Sequence, residues 1–256
     1  MSWPAAPGAA RARDALRARL GDHAAGALTM AELFAEPLDR YTELISSVSG
    51  ELTGFMTRGE DRRFTAQTAA ALEYLGMTRD ARDHHAALAG WMEHRRGFTK
   101  LEWAREGEAG RVVPLAAIYF RRRPAVADTL ARLADRGVGS AGRELAAEVA
   151  GVLGKRTVHF VAAAFRPGSP VHHKLYFSQL VAADTHAEVA RRVEAIVRRF
   201  GGTPAQVAIW QHHHAATVHR DDSTIFVSVS MTADQPSPSF KIDYPEVEPA
   251  RAAAWA

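Results

Sequence analysis

Twice between residues 97 and 181 the sequence runs strand, turn, strand and then returns to helical spacing, and no other feature limits its possible folds as much. Residues 98–105 and 112–121 alternate polar with apolar side chains and are rich in aromatic and β-branched types. Glu-Gly-Glu-Ala-Gly separates them, so an antiparallel hairpin is predicted. A second pair, 158–165 and 172–181, is joined by Arg-Pro-Gly-Ser-Pro, whose Pro and Gly favour turn dihedrals. Helical spacing occupies 125–136 and 141–153, and again 186–200, which Gly201-Gly202 closes. Three final runs, 206–213, 224–231 and 239–244, read as strands.

Seven strands and interspersed helices predict an α+β fold, with ββα repeats and helices on the outer face of one antiparallel sheet. A sheet of long strands tends to curl, and closure removes its exposed edges. The expected form is therefore an antiparallel β-barrel, with an open, strongly curled sheet as the alternative. Upstream, residues 29–96 read as helical. Leu33, Phe34, Leu38, Tyr41, Leu44, Ile45 and Val48 follow the spacing of one buried helix stripe, and further helices are expected at 65–75 and 78–92. Residues 1–28, rich in Ala and Arg, read as a flexible or marginally helical tail. Residues 29–256 then form a single domain, 97–245 of it the barrel.

Composition narrows the functional classes. The chain has 256 residues, 47% of them hydrophobic and 24% charged, which is enough for a sizeable core. It has no Cys, so disulfides and thiolate metal sites are excluded and a cytoplasmic location is expected. No run of apolar residues is long enough for a membrane span or a secretory signal. Of 32 basic residues only four are lysines, and the arginines are spread along the chain in short runs such as Arg121-Arg122-Arg123. Nucleic acid is not an expected partner.

The scarce lysines carry the most information. Three lie in predicted strands with one local pattern: Lys100-Leu-Glu-Trp, Lys174-Leu-Tyr-Phe and Lys241-Ile-Asp-Tyr. Strand side chains alternate, so Lys100 shares a face with Glu102, Lys174 with Tyr176, and Lys241 with Asp243, while the aliphatic and aromatic residues take the other face. On an open sheet these lysines are solubilising charges. Inside a barrel they make a cationic lumen suited to a multiply charged anion such as a diphosphate.

At these residues the sequence resembles the ABBA-type aromatic prenyltransferases, whose α-β-β-α repeats build a barrel with a polar lumen. Lys174-Leu-Tyr-Phe-Ser-Gln-Leu with its following helix resembles their strand–helix unit. The run from Ile225 to Tyr244 is similar to their last two strands, and Lys100-Leu-Glu-Trp to an early one. The resemblance spans residues 97–245, with seven strands where the family has ten. It implies transfer of a prenyl group from an allylic diphosphate to an aromatic small molecule or peptide side chain in secondary metabolism. Lys174, Lys241 and Lys100 would hold diphosphate with Tyr176 and Arg121, and magnesium would come, if at all, with the diphosphate. Glu102 would orient or deprotonate the acceptor, and Trp103, His213 and Tyr244 would line the substrate space.

Gln211-His-His-His and His219 offer a competing reading. In a strand, His212 and His214 share a face, and His219 completes a three-histidine metal set; lining a polar cavity is the plainer account. His84-His85 and His172-His173 read as surface or cavity-mouth pairs, and Asp221-Asp222 as turn residues. Gly137-Val-Gly-Ser-Ala-Gly has the spacing of a dinucleotide loop but follows a helix, so it reads as an interhelical connection. A metal-dependent enzyme or cyclase on a related barrel, and a non-catalytic small-molecule carrier, are the alternative functions. Oligomeric state is not legible.

Overall fold

The computed structural model describes residues 7–46, 52–59, 62–92, 97–106, 111–181, 186–217, 223–233 and 239–243. The chain is α+β and divides into two compact units, Met1–Arg122 with Val161–His173, and Arg123–Phe160 with Lys174–Ala256. Among the described residues no helix is long and apolar enough to cross a membrane.

The first unit opens with α1 (Gly8–Leu20), a 3₁₀ turn, α2 (Ala25–Leu33) and α3 (Ala35–Arg40). The expected tail is thus a packed helix: Ala12, Leu16 and Leu20 of α1 are buried. Small residues make this possible, since a Cβ at Gly8 would fall 2.0 Å from the Leu38 carbonyl oxygen. The Asp39 carboxylate accepts the Ala9 amide hydrogen at 2.9 Å, satisfying one of the orphan donors of the helix start.

The single helix expected from Leu33 onward does not continue. Leu33 and Leu38 lie in α2 and α3, but the backbone extends at Tyr41 (φ −155°, ψ 120°) and becomes β1 (Thr42–Ser46). A second unexpected strand, β2 (Leu52–Gly59), pairs with it antiparallel, Leu44 opposite Phe55. The helices α4 (Arg62–Tyr74) and α5 (Arg79–Trp91) fall where expected. The α4 helix stops at Gly76, whose φ of 72° suits a residue without a Cβ.

The strands β3 (Gly97–Glu106), β4 (Arg111–Phe120) and β5 (Phe160–Phe165) continue the antiparallel ladder in chain order, with Lys100 opposite Ala117 and Ala117 opposite Ala164. The Arg166–Pro170 turn closes with a Ser169 amide donating to Arg166 O at 3.2 Å. Beyond Glu106, the Glu-Gly-Glu-Ala-Gly turn lies outside the described residues.

The second unit contains α6 (Val126–Ala134), α7 (Ser140–Val152), β6 (His172–Val181, from Lys174), α8 (His186–Arg199), α9 (Pro204–Thr217), β7 (Ser223–Met231) and β8 (Ser239–Asp243). The glycine-rich run at 137–142 links α6 to α7, as expected of an interhelical loop. Gly142 has a packing role, because a Cβ there would lie 2.6 Å from Met231 Cβ. The strand expected at 206–213 is instead the helix α9. Thr203 and Gln206 form a reciprocal capping box, the Thr203 amide donating to Gln206 Oε1 at 2.9 Å and the Gln206 amide to Thr203 Oγ1 at 3.3 Å. Pro204 in the first turn gives up no helical hydrogen bond. With β1 and β2 gained and this strand lost, eight strands stand among the described residues where seven were expected.

Candidate functional site

Strand alternation sorts the side chains of each unit onto two faces. In the first unit, one face carries Phe55, Leu101, Trp103, Ile118, Phe120, Val161 and Phe165, all 4% exposed or less. Helices cover it: the Phe34 ring meets Phe55 edge-on at 6.4 Å, and His85 of α5 lies 6.3 Å from Phe120 and 6.2 Å from Phe165. The opposite face carries Lys100 and Glu102, with Met56 and Gly54 across from them on β2 and Ala117 and Leu115 on β4.

This second face is sheltered. Glu102 is 6% exposed and Ala117 3%, and Lys100 Nζ lies 2.7 Å from Glu102 Oε1. A carboxylate so far out of water needs a partner, and the lysine two residues away supplies it. Gly54 is required here by close approach: a Cβ on it would sit 2.1 Å from the Leu101 carbonyl oxygen.

In the second unit, Leu175, Phe177, Val227 and Val229 are fully buried on one face, against which α7 and Phe200 pack, Phe200 through Phe240 at 4.4 Å. The other face bears Lys174 and Tyr176 on β6, Phe226 and Ser228 on β7, and Lys241 on β8 directly opposite Ser228. Aromatic rings gather on it. His159 lies 4.5 Å from Phe160 and 5.1 Å from Phe226, Phe160 lies 5.9 Å from Phe226, and Tyr176 meets Phe160 edge-on at 6.3 Å. The His159 amide donates to Tyr176 O at 2.7 Å, which fixes the start of the cluster. All four rings are half-buried.

The Lys-aliphatic-polar-aromatic pattern thus holds for Lys100 and Lys174, whose following leucines are fully buried on the helix-packed face. Lys241 is exposed on the face of Ser228. Lys100, Glu102 and exposed Arg121 belong to the first unit; Lys174, Tyr176 and Lys241 belong to the second. Trp103, expected to line substrate, faces away from Glu102 and packs on Phe55 at 5.9 Å. Tyr244 and His219 lie outside the described residues. Sequence reading missed His159, Phe160 and Phe226, although strand alternation already put Phe160 and Phe226 on faces of known parity.

The histidine-metal geometry is corrected by α9. His212, His213 and His214 lie in a helix and not in the expected strand, so the alternation on which the three-histidine set was built does not apply. Among the described residues no group of three or more His, Asp or Glu side chains could hold a metal ion. His85 and His173, read as surface or cavity-mouth residues, are each 2% exposed. Thr68 Oγ1 lies 3.3 Å from His85 Nε2, and burial, with His84 adding to it, pulls the His85 imidazole down to about 4.

Comparison with family models, curated proteins and solved structures finds no match in any of the three.

Proposed function

We propose that the polar face of the second unit binds an allylic diphosphate, and that the chain transfers its prenyl group to an aromatic acceptor. One observation carries the reading: Lys174 and Lys241 share a face with the ring cluster of His159, Phe160, Tyr176 and Phe226. Ionisation of an allylic diphosphate breaks the C1–O bond, and the diphosphate leaves with the electron pair. Ammonium and phenol donors stabilise that leaving charge where it develops. Aromatic faces stabilise the allylic cation without capturing it as water would. The acceptor ring then bonds to C1 and loses its proton. Glu102 is held by Lys100 in the first unit, and the acceptor role expected for it is no part of this site. Tyr176 is the proposed helper on the diphosphate. The resemblance to ABBA-type prenyltransferases, and a cytoplasmic place for the reaction, belong to this proposal.

Incubation with dimethylallyl or geranyl diphosphate and a panel of indoles and phenols tests it. Prenylated product with equimolar diphosphate release is expected, and both should vanish in Lys174→Ala. Saturable binding of the diphosphate without turnover of any acceptor would favour a carrier.

A further inference from the structure

Lys155, the fourth lysine of the chain, sits just beyond the end of α7 in the second unit. Gly154 has a φ of 65°, and the Lys155 amide donates back to Ala150 O at 2.7 Å, which closes the helix and fixes the backbone that carries the lysine. Arg192 of α8 reaches the same helix end, its Nη1 donating to Leu153 O at 3.0 Å. A Cβ on Gly154 would lie 3.3 Å from that nitrogen, so the guanidinium stands against the residue next to Lys155. One cation already answers the last carbonyls of α7, and Lys155 adds a second.

Carboxylates on these two helices are engaged by arginines: Glu188 by Arg192, Glu148 by Arg199, and Glu194 by Arg198 at 2.6 Å. Among the described residues Lys155 has no ion pair. The lysine is half-buried, and burial, then the neighbouring Arg192 charge, pulls its ammonium below the ordinary lysine range. Desolvation beside a second cation is what frees an amine lone pair for attack on an electrophilic carbon.

We propose that the Lys155 amine takes up carbon dioxide as a carbamate, which the Arg192 guanidinium then holds. The nitrogen lone pair bonds to the carbon, one C=O electron pair moves onto oxygen, and the nitrogen gives up a proton to water; nothing is oxidised or reduced. The reaction turns two neighbouring cations into an ion pair. Arg192 has N–H donors for it beyond those given to Leu153 O and Glu188. The site does not depend on the proposed diphosphate face.

The full chain is equilibrated with bicarbonate and carbon dioxide at neutral pH, carbamates are trapped as ethyl esters with triethyloxonium ion, and the esters are located by peptide mass spectrometry. The yield at Lys155 is expected to exceed that at exposed Lys241 about tenfold, and the difference should vanish in urea. Arg192→Gln should lower the Lys155 yield about tenfold, and Arg192→Lys should keep most of it. Because Arg192 also caps α7, Glu188→Gln gives a second arm that leaves the guanidinium in place: with one anion fewer to hold, it should raise the yield. No ester at Lys155, a yield no higher than at Lys241, or equal yields in wild type, Arg192→Gln and Glu188→Gln overturns the proposal.

Discussion

The polar faces of the two units place lysine in different company. In the first, Lys100 is held at 2.7 Å by Glu102, a carboxylate almost out of solvent, on a face otherwise lined by small and aliphatic residues such as Gly54 and Ala117. In the second, Lys174 and Lys241 stand with a phenol, serine hydroxyls and four half-buried rings. The same local pattern, Lys followed by an aliphatic residue, therefore serves two ends. Where the polar residue two positions on is Glu, the lysine neutralises it; where it is Tyr, lysine and hydroxyl are both donors and can converge on an anion. The residue at that second position, more than the lysine itself, sets the chemistry of each face.

The comparison breaks most visibly at Lys174. Lys174→Ala is expected to weaken an unreactive thio-analogue of an allylic diphosphate about 100-fold in calorimetry, the scale of losing a charge-assisted contact. Stability to urea should stay near wild type, because Lys174 is half-buried on the polar face. The reverse holds for the first unit. Lys100→Met leaves Glu102 buried without its ammonium and should cost about 2.5 kcal/mol in urea unfolding, discounted for the lysine's own exposure.

The pH response separates the units next. The His85 imidazole lies at about 4 in the folded chain against 6.5 unfolded, so the unfolded state takes up the proton first. Stability from this group is complete above pH 6.5, falls as the pH drops towards 4 and levels off below, with about 2 kcal/mol lost by pH 5. Hydrogen exchange should show protection declining in α5 and β4 at pH 5 by more than in β7, and His85→Gln should flatten the dependence. The smallest effect is expected at the ring cluster. Phe226→Leu keeps the volume apolar but removes the π face, and should lower turnover about fivefold with little change in diphosphate affinity.

Legibility in the sequence followed the reach of each signal. The β3–β4 hairpin and the strands β5 and β6 were readable because alternation and turn residues are local, and the lysine faces came with them. The region from Tyr41 to Gly59 was misread because Tyr41, Leu44, Ile45 and Val48 happen to continue the spacing of Leu33, Phe34 and Leu38. Yet Leu44 pairs with the fully buried Phe55 on the same face, and it stays 47% exposed because β1 comes last in the strand order. For α9 the deciding signal was present and unused: Thr203-Pro-Ala-Gln is a capping box, and the apolar run after it resembled a strand only in composition. The aromatic cluster was harder to see. Phe160 and Phe226 come from strands separated by more than sixty residues, and only register brings their rings to 5.9 Å.

The most direct test is a crystal of the full chain soaked with the thio-analogue of geranyl diphosphate. The account predicts the diphosphate within hydrogen-bonding distance of the Lys174 and Lys241 ammonium groups, with the prenyl chain against Phe160 and Phe226. A diphosphate bound elsewhere, with both lysines turned to bulk water, would contradict it.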